Sequence, residues 1–204
     1  WEALALSFPG YVENMIFKFA CCSTADGNNP YRLLRNGFDW EVLDPHDAWS
    51  YIGYWGDHQV IYLLKLLEVS ARYHPGALAE LLTRRSFSYA NVPYRIRPYA
   101  ALLADPRHTI DFDAALDSEL RRNAAQRGTD ANTLAGAGGA PYQVNLTEKL
   151  LVMVLARLFN FIPEAGLWLN TQRPEWNDAN NALVGSGVSM VTLYYLRRFL
   201  AFWQ

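Results

Sequence analysis

Cysteine is nearly absent: the chain carries two, Cys21 and Cys22, side by side. An adjacent pair seldom bridges, because a disulfide needs Cα separations and Cβ directions that an extended dipeptide does not offer. The pair therefore signals no oxidising compartment. With no histidine or third cysteine beside it, we expect two buried small apolar residues rather than a metal or redox site. Histidine is sparse too, and His46, His58, His74 and His108 show no metal-ligand spacing, so no metal is expected. Neither sign of charge dominates. Against 18 Lys and Arg stand 20 Asp and Glu, a net charge of −2, which removes the electrostatic ground for a nucleic-acid or anionic-membrane partner. Long apolar runs are missing: residues 150–161 and 190–203 come nearest, and Arg157 and the Arg197-Arg198 pair interrupt them, so neither reaches the roughly 20 residues that span a bilayer. Strand-like alternation is confined to the neighbourhood of residues 88–96.

What is present describes a folded, soluble protein, with the cytoplasm favoured. Of 204 residues, 51% are apolar and 19% charged, the ordinary globular range, and this length favours a single domain over 1–204. Seven Trp and twelve Tyr are many for the length, and several stand beside Asp, Asn, Gly or His rather than inside apolar runs. A pyranose has an apolar C–H face and a rim of hydroxyls, so aromatic rings bordered by carboxylates and amides suit it. The chain opens at Trp1 within an apolar segment and closes at Gln204 within a helical pattern that has no C-cap. We therefore expect a portion of a longer protein, with the rest of its own chain as a partner.

Apolar residues recur at helical spacing over 11–22, 57–72, 76–85, 112–127, 147–161 and 186–203. Asp57 is placed to cap the second of these, and Asn145 with Thr147 and Glu148 reads as a helix start. Pro75-Gly76 is expected as a short connector between two helices. Residues 26–30, 44–47 and 163–181 are rich in turn formers, and the glycine-bearing stretch 128–141 reads as a mobile surface loop. Its glycines form no phosphate cradle, since no strand signal precedes them and no Lys-Ser/Thr follows. Helix hairpins with long, polar, aromatic loops imply an all-α toroid or solenoid in which loops at one end build a site.

Two segments carry the chemistry. In the first, Tyr54, Trp55, Gly56, Asp57, His58 and Gln59 set rings, a carboxylate, an imidazole and an amide around one loop-to-helix junction, able to grip hydroxyls. The second runs Glu175-Trp176-Asn177-Asp178-Ala179-Asn180-Asn181. No helix or strand has an energetic use for that density of short polar groups. A carboxylic acid set against a glycosidic oxygen protonates the leaving group, and burial beside a tryptophan raises its pKa into a useful range. Asp178 and Glu175 are the candidates for that acid. Arg95-Ile96-Arg97-Pro98-Tyr99 is expected to be a solvated charged edge before an anion site.

The second segment resembles the Asp-Trp-Asn-Asp-Gly-Met-Asn motif of the cellobiose phosphorylase-like clan of inverting glycoside hydrolases and phosphorylases. The first is similar to that clan's aromatic-Arg-Asp-x-x-Gln segment. The resemblance implies a portion of an (α/α) six-hairpin toroid, with Asp178 as general acid and Asp57 binding the sugar next to the cleaved bond. Tyr54, Trp55, His58, Gln59, Trp176, Asn177 and Asn181 would complete the substrate site. Glu175 stands where the motif has Asp, Ala179-Asn180 where it has Gly-Met, and Gly56 where it has Arg.

The expected activity is inverting cleavage of a glucoside or oligosaccharide, hydrolysis before phosphorolysis, with no cofactor, or inorganic phosphate as co-substrate in a phosphorylase. Hydrolysis by inversion needs a second carboxylate about 6.5–9.5 Å from the acid to activate water. Glu164, Glu41 and Asp47 are available, and no motif around them marks a base. A non-catalytic helical carbohydrate-binding module would use the same rings and amides without turnover.

Overall fold

The computed structural model describes residues 2–7, 10–20, 23, 25, 57–105, 108, 110–127, 132–168 and 187–204. Helix makes up 62% of them, compatible with an all-α class. The described helices are α1 (Glu2–Ser7), α2 (Tyr11–Ala20), α3 (Asp57–Tyr73), α4 (Pro75–Thr83), α5 (Tyr99–Ala104), α6 (Ala114–Arg127), α7 (Leu146–Leu158) and α8 (Met190–Phe202). Short strands accompany them: β1 (Phe87–Ser88), β2 (Tyr94–Ile96), β3 (Ile110–Phe112), β4 (Gln143–Val144), β5 (Phe161–Ile162), β6 (Gly166–Trp168) and β7 (Val188–Ser189).

The core follows from helical periodicity. In α3, Val60, Leu63, Leu64 and Leu67 recur at three- and four-residue steps and are buried, and in α2 Val12, Ile16 and Ala20 do the same. Leu146, Leu150, Met153 and Val154 of α7 join them, with Leu196 and Phe199 of α8, in one apolar cluster. Transfer of such side chains from water supplies the main drive for packing.

Helix ends show where local chemistry agreed with expectation and where it did not. Asn145 caps α7, its Oδ1 accepting the Glu148 backbone N–H at 2.9 Å. Pro75-Gly76 is not a connector. His74 alone separates α3 from α4, and Pro75 occupies the first turn of α4, where its missing N–H costs nothing and its φ suits the helix. The helix expected over 147–161 ends at Leu158. Phe161 and Ile162 instead pair antiparallel with Leu167 and Gly166 across a turn closed by Ala165 N–H to Ile162 O at 3.1 Å. Pro163 stands at the first central position of that turn and Glu164, at φ 65°, takes the left-handed position usually held by Gly or Asn.

The helices expected over 112–127 and 186–203 also start later, at Ala114 and Met190, because Phe112 and Val188–Ser189 are used in strands. β3 pairs with β2 and β7 with β6, both antiparallel. β1 pairs with β4, aligning Phe87 with Val144. Described residues of the expected loop 128–141 are tied by backbone hydrogen bonds, Leu134 N–H to Tyr89 O at 2.7 Å and Gly136 N–H to Ala140 O at 2.7 Å. Gly138 and Gly139, at φ 77° and 80°, supply the left-handed steps of its turn.

Candidate active site

Residues 54–59 run into α3, whose first turn holds Asp57, His58 and Gln59 in its backbone; the side chains of these three lie outside the described set. Residues 175–181 precede β7, which passes directly into α8. Ser189 caps α8, its Oγ accepting the Thr192 backbone N–H at 3.2 Å and lying 2.8 Å from the Thr192 hydroxyl.

Two contacts fix the relation of α3 to α8. Lys65 Nζ lies 5.8 Å from the centroid of the Tyr195 ring, and also 5.9 Å from that of Tyr62 on its own helix. One turn further on, Glu68 takes a two-pronged hydrogen bond from Arg198, at 2.6 Å from Nε and 2.5 Å from Nη2. The pairings 65 with 195 and 68 with 198 advance together by three residues. That is the signature of parallel helices, since antiparallel ones would pair 65 with 198. The same offset sets Met190, where α8 begins, level with Val60 in the first turn of α3. The starts of α3 and α8 therefore share one end of the helix pair, and the positive ends of both macrodipoles face the same way, which favours negative charge there.

Strands β6 and β7 bring together the described chain on either side of residues 169–186. β6 pairs with β7 through Leu167 with Ser189 and Trp168 with Val188, so described chain stops at Trp168, at the end of β6, and resumes at Gly187, directly before β7. Gly166 permits this close approach. A Cβ there would lie 3.2 Å from Met190 Sδ and from Ser189 O, at a φ of 151° that disfavours a side chain.

Of the predicted site residues, Tyr54, Trp55, Glu175, Trp176, Asn177, Asp178 and Asn181 lie outside the described residues, as do Cys21, Cys22, His46, Glu41 and Asp47. Glu164 is described, exposed at the β5–β6 turn. The 95–99 stretch behaves as a charged edge: Arg95 is exposed on β2, and Arg97 is spent locally, with Nε 3.6 Å from Asp111 and Nη1 donating to His108 O at 3.1 Å. Among the described residues no group of three or more His, Cys, Asp or Glu is placed to hold a metal ion. No described helix is long and apolar enough to cross a membrane.

Sequence reasoning missed two polar clusters inside the helical body. Lys149, only 3% exposed, donates from Nζ to the carbonyls of Ser88 and Ser23 and sits 4.1 Å from the Tyr89 ring centroid, a geometry that compensates a buried cation. Burial first, and then the Glu148 carboxylate 3.2 Å away, push the Tyr89 phenol well above the usual tyrosine range. The second cluster joins Glu13, Ser70 and His74. A lysine and a glutamate on apolar helix faces were the only signals available for either.

No family model matches the chain, and no curated protein matches it in sequence.

Proposed function

We propose that this chain belongs to a carbohydrate-active enzyme that cleaves a glycosidic bond with inversion, within an (α/α) six-hairpin toroid to which the described helices contribute. One observation carries the reading: two carboxylates, three asparagines and a tryptophan fall within the seven residues Glu175 to Asn181, in a pattern similar to the general-acid segment of inverting glycosidases. The common end shared by α3 and α8 supports it, since β7, which follows that motif in the chain, enters α8 at the end where α3 begins with Asp57.

In the proposed reaction Asp178 delivers its proton to the glycosidic oxygen as the bond to the anomeric carbon breaks. Water attacks that carbon from the opposite face and loses its proton to a second carboxylate. Asp57, His58, Gln59, Tyr54, Trp55, Trp176, Asn177 and Asn181 bind the sugar, with Glu175 beside the acid. In the phosphorylase alternative, inorganic phosphate replaces water and leaves as a sugar 1-phosphate, and no base is needed. The paired helix N-termini, which favour an anion at this end, are the observation that keeps this second reading.

Asp178→Asn in the full-length protein tests the assignment. Turnover of glucosides and oligosaccharides should fall on the order of 10²–10⁴-fold while sugar binding persists by calorimetry. Retained turnover removes Asp178 from the mechanism. Product release that depends on added phosphate selects phosphorolysis, and sugar binding without turnover by the native protein, with or without phosphate, selects a binding module.

A further inference from the structure

Glu13 stands in the first turn of α2 and reaches across to the last turn of α3. Its Oε1 accepts the Ser70 hydroxyl at 2.6 Å and lies 3.1 Å from His74 Nδ1. A carboxylate only accepts, so the Nδ1 contact requires a proton on that nitrogen. Ser70 is fully buried, and the Glu13 and His74 side chains are 12% and 25% exposed. The other carboxylate oxygen, Oε2, is buried and has no hydrogen-bond partner among the described residues. His74 is also the single residue between α3 and α4, so this contact ties three helices.

We propose that Glu13, Ser70 and His74 form an acid-released latch, which holds α2 on the α3–α4 junction while the Glu13 carboxylate is ionised and frees it when that carboxylate takes up a proton. Geometry dictates the direction. A proton on Oε1 would weaken it as acceptor for the His74 Nδ1–H and force the Ser70 hydroxyl to reverse from donor to acceptor, and a proton on Oε2 would be a buried donor with no acceptor among the described residues. Burial acts on the Glu13 carboxyl by raising its pKa, but the Ser70 hydroxyl, its own backbone N–H and His74 together outweigh it and hold the carboxyl below the usual glutamate range. Stability from a lowered carboxyl is fully present above its unfolded pKa and lost as pH falls through the folded one. The latch is therefore closed near neutrality and opens in acid.

Among the described residues, His74 is the charged neighbour that acts on the Glu13 carboxyl. From α3 the ionisable neighbour is His74, while Arg72 lies over the Tyr73 ring at 5.2 Å. From α7, Lys149 is directed at Ser88, Ser23 and Tyr89, and Arg157 donates to Met153 O on its own helix. Glu80 of α4 is paired with Arg84 at 2.6 Å. The side chains of Glu2 on α1 and Lys18 on α2 lie outside the described set. What the latch retains is apolar: Val12 and Ile16, both fully buried, which pack in the cluster with α3.

The test follows the Glu13 carboxyl by NMR and the amide protection factors of α2 and α8 by hydrogen exchange, from pH 7 to pH 3, in the native protein, Glu13→Gln and Ser70→Ala. The carboxyl should titrate below an ordinary glutamate. Protection of α2 relative to α8 should fall roughly ten- to hundredfold through that titration, as for loss of a charge-assisted hydrogen bond. Ser70→Ala should move both events to higher pH, and Glu13→Gln should abolish the step. If Glu13→Gln does not fold, Ser70→Ala decides alone. A carboxyl that titrates at or above the ordinary value overturns the proposal, as does α2 protection that keeps level with α8 throughout.

Discussion

Helices α6 and α7 are nearly the same length, 14 and 13 residues, and begin alike. Asp113 Oδ1 accepts the Leu116 backbone N–H at 2.9 Å, just as Asn145 accepts that of Glu148 at 2.9 Å. Beyond the first turn they diverge. α7 buries Leu146, Lys149, Leu150, Met153, Val154 and Arg157, whereas of the described side chains of α6 only Leu120 is buried. α6 relies on local support, such as Arg121 to Asp117 at 2.8 Å and Ser118 to Ala114 O at 2.9 Å. Equal caps therefore do not confer equal standing. A cap ends a helix cleanly, but tertiary burial decides whether the rest of the molecule depends on it.

The sharpest way to break this contrast is truncation in α7. Leu150→Ala, at a fully buried position, should cost about 2–5 kcal/mol and lower the urea midpoint of the whole molecule. A cost no larger than that of a surface change would show that α7 is peripheral. Asp113→Ala should cost about 0.5–2 kcal/mol, read as faster hydrogen exchange confined to α6. If exchange in α3 and α7 accelerates equally, α6 is coupled to the core and the contrast fails. Asp117→Asn should be the mildest, under about 1 kcal/mol for an exposed pair spaced four residues apart, and 0.5 M salt should reduce the difference from the native protein.

Legibility in the sequence followed the range of the forces involved. The starts of α3 and α6–α8 fell within four residues of expectation because periodicity and capping residues act within one or two turns. Helix α5 and short α1 escaped notice, since six residues hold less than two turns of pattern. Strands β5–β7 were read as parts of helices or loops because two or three residues cannot display alternation. Phe161 and Val188 took strand conformations because partners at Leu167 and Trp168 were near in space. For the candidate site, the sequence proposes the residue types, and the described structure adds the shared end of α3 and α8. Nothing local in Lys65, Glu68, Tyr195 or Arg198 announced that pairing.

Composition and periodicity alone determined that helix predominates among the described residues, with apolar faces that must pack together, and that two segments set short polar groups beside tryptophan. Only the tertiary structure decided that α3 and α8 run parallel, that β6 lies against β7, and that Glu13 meets Ser70 and His74 across 57 and 61 residues. The physical reason is that helix formation is written in contacts three and four residues apart. Neighbours in space are chosen by the joint burial of surfaces distant in the chain, which no single stretch encodes.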